Sequence, residues 1–300
     1  MSRLQADLLL LLVALIWGSA FVAQNLGMAS VGPYAFTGAR FLLGALIVLP
    51  LAWRERRRRP ADLPSLGWRD AAAIGLLGVL LFLGAAFQQI GIISTTVTNA
   101  GFLTALYVPL VPILVCLVHR DTPHWSVWPA GIGCVVGTWL LTGAGNIAIN
   151  RGDLWIIAST GFWAMHVLLV GRIADRLAAP FTVACGQFLF VAVAGWAVAG
   201  VCEPVSLADL SAAGGAILYT GVLSVGIAFT GQVVGQRHTP PADAAIILSA
   251  ETVFAALFGA WWLGERLTTT GLIGCALILC CILAVQLLPL WPRRLATVAD

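Results

Sequence analysis

Three ionisable side chains stand inside otherwise apolar runs: Arg40, His166 and Glu251. A charge at the centre of a membrane helix costs roughly 2.5 to 3.5 kcal/mol on the insertion scale, so such groups face a cavity or a polar partner. Glu251 lies about midway along the run from Ala244 to Leu263. It reads either as a ligand for a solute amine, as a carboxylate that carries a coupling proton, or as a hydrogen-bonded packing residue between helices. Arg40 lies about two turns into the run from Tyr34 to Trp53. Its planar guanidinium suits a carboxylate held in bidentate fashion, while the competing role is snorkelling or binding helix-end carbonyls. His166 follows Trp163 by three residues, which places both on one helical face. That stripe is either a proton-sensitive, solute-facing surface or a packing face with one interhelical hydrogen bond.

Uncharged groups complete the candidate set. Trp17, Phe21 and Gln24 share a face, and Gln88, Asn99, Tyr107, Tyr219 and Gln232 add hydrogen-bonding groups at span depth. Each has a second role as interhelical glue. The candidate solute-binding residues are therefore Trp17, Gln24, Gln88, Asn99, Tyr107, Trp163, His166, Gln232 and Glu251, with Glu251 also the candidate for coupling. A site so sparse in charge favours a small, modestly polar or zwitterionic solute over a polyanion. No cofactor or metal is expected: the seven cysteines have no metal-ligand spacing. The spans hold no nucleophile with a base and no clustered His, Asp and Glu, which argues against an embedded enzyme. The phosphate-cradling pattern G-x-x-x-x-G-K is also missing.

The elements that must position these residues are membrane spans. Hydrophobic residues make up 60% of the 300 positions and charged ones 10%, against roughly 25% charged in a soluble domain. Ten segments are long enough to cross a bilayer, which takes roughly 20 apolar residues. They run from Leu8 to Leu26, Tyr34 to Trp53, Ala71 to Ile93, Val97 to Val118, Trp125 to Gly143, Leu154 to Gly171, Phe181 to Val201, Ala212 to Gly235, Ala244 to Leu263 and Gly271 to Leu290. Every one of the 16 fixed cations is an arginine, and 13 of them fall at the termini and in the even-numbered connections. Because cytoplasmic loops retain basic residues, both termini are expected in the cytoplasm, in a bacterial-type inner membrane. Trp53, Trp125, Trp128 and Trp291 sit at span ends as interfacial anchors. The expected partners are a small-molecule solute and the lipid bilayer, not nucleic acid; the sequence leaves the oligomeric state open, a monomer being plausible.

The chain also matches itself at an offset of about 145 residues. Trp17 pairs with Trp163, Pro33, Arg40 and Phe41 with Pro180, Gln187 and Phe188, Gln88 and Gly91 with Gln232 and Gly235, and Ile132-Gly133-Cys134 with Ile273-Gly274-Cys275. Residues 1–145 and 146–300 thus form two units of five spans. Five is odd, so the second unit enters the membrane from the opposite side. Inverted repeats of this kind are the usual architecture of secondary transporters, with the solute site near the midplane between the halves. A channel, or a drug and cation exporter of the same fold, is the competing reading.

Motifs then point to a family. Leu15-Ile16-Trp17-Gly18-Ser19, Arg40-Phe41-Leu42-Leu43-Gly44, Ala100-Gly101-Phe102-Leu103 with Tyr107 and Pro109, Leu248-Ser249-Ala250-Glu251, and Leu263-Gly264-Glu265-Arg266-Leu267 resemble the EamA-type, ten-helix members of the drug/metabolite transporter superfamily. The resemblance implies an all-α, pseudo-twofold bundle. Its central cavity would be lined mainly by helices 1, 3, 4, 6, 8 and 9, with helices 5 and 10 outside. It also implies alternating-access export of small metabolites, with amino acids as the leading class.

Overall fold

The computed structural model describes residues 1–61, 63–141, 150–264, 266 and 268–288. Among them every regular element is helical. We number the membrane helices α1 (Arg3–Gly27), α2 (Pro33–Arg57), α3 (Trp68–Ile92), α4 (Asn99–Val118), α5 (Val127–Leu141), α6 (Arg151–Leu177), α7 (Pro180–Cys202), α8 (Gly214–Gly235), α9 (Pro241–Trp262) and α10 (Thr269–Leu287). Nine are long and apolar enough to cross a membrane, and α5 is a shorter apolar helix within the described residues. The expected ends of the fifth and tenth spans, Gly143 and Leu290, lie outside the described residues, as do Glu265, Leu267, Trp291, Arg293 and Arg294.

Burial is inverted relative to a soluble domain. Leucines, valines and isoleucines such as Leu8, Ile132, Val193 and Leu283 are exposed on the outer faces, where lipid tails solvate them without cost. Most of the buried polar side chains belong to the bundle interior, including Gln24, Arg40, Gln88, Gln187, Gln232 and Glu251. Trp53, Trp125 and Trp128 are exposed at helix ends, and Arg57 lies 3.8 Å over the Trp53 ring, an arrangement suited to the headgroup layer.

Helix packing has twofold symmetry. The halves meet through α1 on α8 and α9, α3 on α6 and α7, α2 on α7 and α8, α4 on α6, and α5 on α10. Exchanging the first five helices with the last five leaves this set unchanged and takes the α4–α9 contact onto itself; a smaller contact of α5 on α9 is the exception. The α5–α10 contact runs through small residues: a Cβ on Gly137 would stand 2.8 Å from the Gly274 carbonyl oxygen, so only glycine lets the backbones approach this closely.

The inversion is visible atom by atom at α2 and α7. Glu203, just past the end of α7, accepts hydrogen bonds of 2.8 Å from both the Tyr34 and the Ala35 backbone N–H. Glu55, near the end of α2, accepts from the Phe181 N–H at 3.2 Å and the Thr182 N–H at 2.7 Å. Both helices begin at proline, the residue best suited to the first helical position. Each helix end therefore supplies the carboxylate that satisfies the unpaired N–H groups at the other's start, which requires the pair to be antiparallel. Replacing either glutamate by alanine should cost about 1–2 kcal/mol. The two losses should add, because Tyr34 and Glu55 mark sites at opposite ends of α2, roughly 32 Å apart. Thermal melts of the two single variants and the double variant in detergent measure this, and a double-variant loss no larger than either single one contradicts it.

Among the described residues three spans are not regular α-helix throughout. α4 is interrupted at Ala105 and Leu106 between helical pieces Val97–Thr104 and Tyr107–Leu114. α9 is interrupted at Ser249 between Pro241–Leu248 and Ala250–Leu263. These breaks correspond under the repeat, since an offset of 144 takes Tyr107 to Glu251. In α8 a π-helical stretch covers Thr220–Phe229, a wider winding frequent at functional sites.

Candidate solute-binding cavity

At the level of these breaks lies a cavity with about 510 Å³ of space between atoms, open solvent included. It is lined by Trp17, Phe21 and Gln24 from α1, Arg40 from α2, Gln88 from α3, Thr104 and Tyr107 from α4, Trp163 and Val167 from α6, Ser224, Phe229 and Gln232 from α8, and Glu251 from α9. Of the residues proposed from the sequence, seven converge here: Trp17, Gln24, Gln88, Tyr107, Trp163, Gln232 and Glu251.

Two do not. Asn99 sits at the start of α4, donating to the Asp153 carboxylate at 2.8 Å. His166 is fully buried and shares a 2.8 Å hydrogen bond with Gln187 of α7. Although three residues from Trp163, its ring stands at 90° to the indole and is turned to the neighbouring helix. Each is held by an interhelical bond, although the buried His166 Nδ1 has no partner among the described residues.

Arg40 departs from the expectation the other way. α2 was not expected to reach the cavity, yet this guanidinium lines it. Gln24 on α1 draws it there, accepting from Nη1 at 2.8 Å, while the Phe36 and Phe41 rings lie 5.6 and 5.2 Å from its central carbon. No carboxylate pairs with it among the described residues, and its buried Nε has no hydrogen-bond partner. Gln187, the repeat counterpart of Arg40, instead bonds His166. Each half thus ties its second helix to its first, but only the first half does so with a charge.

Glu251 occupies the first turn of the second piece of α9, where the helix N-terminus offers partial positive charge to a carboxylate. It is 4% exposed and has no hydrogen-bond or ion-pair partner among the described residues. Gly18 of α1 makes room for this turn: a Cβ there would lie 2.7 Å from the Glu251 carbonyl oxygen and 2.8 Å from the Ala255 nitrogen. The Gly in the Trp17-Gly18 pair is therefore what lets α1 and α9 touch beside the carboxylate.

Aromatic rings form the remaining wall. Phe229 lies between the two repeat-related tryptophans, 4.6 Å from Trp17 and stacked at 6.0 Å and 16° on Trp163. Trp17 donates from Nε1 to the Ser224 carbonyl at 3.3 Å, within the π-helical stretch. Gln88 donates to Thr104 at 2.9 Å, whereas the buried Gln232 Oε1, Tyr107 hydroxyl and Trp163 Nε1 have no partner among the described residues. Thr104, Val167, Ser224 and Phe229 were not singled out from the sequence. Val167 was accessible there as the repeat counterpart of Phe21, and Thr104 as the residue one turn before Tyr107. Ser224 and Phe229 depend on a local winding that no composition signal marks. Among the described residues, no group of His, Cys, Asp and Glu is arranged to hold a metal.

The sequence and the fold agree with known proteins. The chain is 33% identical over 289 residues to an uncharacterized transporter of Archaeoglobus fulgidus, covering 95% of this chain and 87% of that one. It is 25% identical over 281 residues to the threonine/homoserine exporter RhtA of Escherichia coli K12, covering 91% and 88%. A crystal structure superposes with a TM-score of 0.78 at 19% identity over 96% of this chain and 99% of that one, a likeness of fold. The model of the EamA-like transporter family matches twice, at residues 4–143 and 150–287. With inverted repeats around a shared cavity, this chain is a multi-pass membrane protein and belongs to the EamA-like transporter family of the drug/metabolite transporter superfamily.

Proposed function

We propose that the protein exports small zwitterionic metabolites, amino acids foremost, by alternating access across a bacterial-type inner membrane with both termini in the cytoplasm. One observation carries the solute class: among the described residues Arg40 and Glu251 are the only charged side chains lining the cavity, they bear opposite signs, and no ion pair joins them. Buried unpaired charges are costly, and a solute with one carboxylate and one ammonium relieves both at once. The surrounding shell includes two matched pairs, Trp17 with Trp163 and Gln88 with Gln232, while each charge stands where the other half has an uncharged residue, Gln187 for Arg40 and Tyr107 for Glu251. The relation to a threonine/homoserine exporter supports the same class. The arginine distribution supports the orientation.

Glu251 also suits exchange with protons. A lone buried carboxylate is neutralised either by a proton or by a solute ammonium, and the two compete for one site. Outward movement of solute is then followed by return of the proton-loaded carrier.

The direct test is counterflow in proteoliposomes with radiolabelled amino acids, their decarboxylated amines and the matching carboxylic acids. Saturable exchange of one or more amino acids is expected, with amines and acids competing at least tenfold more weakly. If no amino acid exchanges while an amine does, the zwitterion assignment is wrong and the aromatic wall with Glu251 describes an organic-cation site instead.

A further inference from the structure

Two to three turns from the cavity, two hydrogen-bonded clusters close the ends of the bundle, and they correspond to each other under the repeat. At the end carrying the N-terminus, buried Asp7 of α1 accepts a 2.7 Å hydrogen bond from the Thr239 hydroxyl, on the connection between α8 and α9. Arg3 bridges this Asp7 to Asp243, in the first turn of α9. At the opposite end, fully buried Asp153 of α6 accepts 2.8 Å bonds from the Thr95 hydroxyl, on the connection between α3 and α4, and from the Asn99 amide. The repeat offset takes Asp7 to Asp153, and an offset of 144 takes Thr95 to Thr239 and Asn99 to Asp243.

The spacing to the cavity is the same in both copies. Thr95 follows Gln88 by 7 residues, as Thr239 follows Gln232. Asn99 precedes Tyr107 by 8, as Asp243 precedes Glu251, and Asp153 precedes Trp163 by 10, as Asp7 precedes Trp17. Each cluster thus holds together the ends of the helices that carry cavity residues, two to three turns away. Each also crosses from one half of the molecule to the other.

We propose that Asp7 and Asp153 are the two gates of the carrier: the Asp7–Thr239 cluster must part for the cavity to open at the N-terminal end, and the Asp153–Thr95–Asn99 cluster for it to open at the other. The inference rests on alternating access and not on the identity of the solute. Both clusters are formed in this structure, so it corresponds to the state between the two openings. Hydrogen bonds to a buried carboxylate are among the stronger ones and are lost only when a replacement or water takes over. That property suits a latch that is closed without solute and released by rigid movement of one helix pair against the other.

The test measures access to the cavity from each face. A cysteine at Ser224, in a chain whose seven native cysteines are replaced by serine or alanine, reports labelling by a membrane-impermeant maleimide in sealed vesicles of either sidedness. Asp153→Ala, and separately the near-isosteric Thr95→Val, should raise labelling from the α3–α4 face about tenfold and lower it from the other. Asp7→Ala and Thr239→Val should do the reverse, and opposite shifts cannot arise from general unfolding. Labelling biases left at the parent value in all four variants, or raised on both faces by each, would overturn the gate assignment. A parent cavity labelled equally from both faces, with no response to any variant, would instead contradict alternating access itself.

Discussion

Glu251→Gln is expected to lower solute exchange about a hundredfold while leaving the melting temperature unchanged or raised. The carboxylate has no hydrogen-bond or ion-pair partner among the described residues, so its removal breaks no such bond and abolishes the burial of a lone charge, which is destabilising. In the loaded carrier the same carboxylate faces the solute ammonium, and removing one member of a desolvated charge pair costs about 2–5 kcal/mol. Taking about 3 kcal/mol gives the hundredfold loss. Two readings separate this role from structural packing. Exchange in the glutamine variant should lose its preference for solutes carrying an ammonium, and its flux should depend less on pH than that of the parent. Retained preference for the ammonium, with normal rates, would remove Glu251 from the site.

Much of this arrangement is legible in the sequence because the bilayer imposes it. Long apolar runs, arginines concentrated in alternate connections and an odd number of spans per repeat follow from insertion and duplication, and they leave their mark on linear order. The repeat even selects cavity residues in pairs: Trp17 with Trp163 and Gln88 with Gln232 all line the cavity. What linear order does not contain is the rotation of each helix. Asn99 and His166 carry suitable chemistry, yet Asn99 stands at the start of α4 and each turns to a neighbouring helix, where it bonds Asp153 or Gln187.

Arg40 illustrates the converse, since a helix outside the expected ring still delivers a long side chain to the cavity once Gln24 anchors its tip. The glutamates at the ends of α2 and α7 read in sequence as ordinary solvated charges. Only the antiparallel pairing makes them caps for the partner helix. The interruption of α9 at Ser249 contains neither glycine nor proline. Its hydroxyl bonds back to the Ile246 carbonyl at 2.6 Å, a local competition with helical hydrogen bonding that Ser residues make in many helices without breaking them.

Arg40→Gln tests the asymmetry between the halves most directly, because glutamine is what the second repeat places at the equivalent position. The variant retains a side chain able to bond Gln24 but removes the positive pole of the cavity. Exchange of amino acids should fall about a hundredfold, by the same loss of a desolvated charge pair. Selectivity should change as well as rate. A decarboxylated amine retains its partner Glu251 and loses nothing, so it should compete as well as, or better than, the parent amino acid. Arg40→Lys should fall between, about tenfold below the parent, since it restores the charge without the planar two-pronged donor geometry. It also gives up stacking between Phe36 and Phe41. Melting temperatures distinguish a lost ligand from a lost contact: the unpaired Nε and the absent carboxylate partner mean that the charge contributes little to the resting fold, so both variants should melt within a few degrees of the parent. Should Arg40→Gln keep the parent's preference for amino acids over amines, Arg40 is a tether for α1 alone and the carboxylate of the solute must be bound by the unpartnered groups of the cavity, Tyr107 and Trp163.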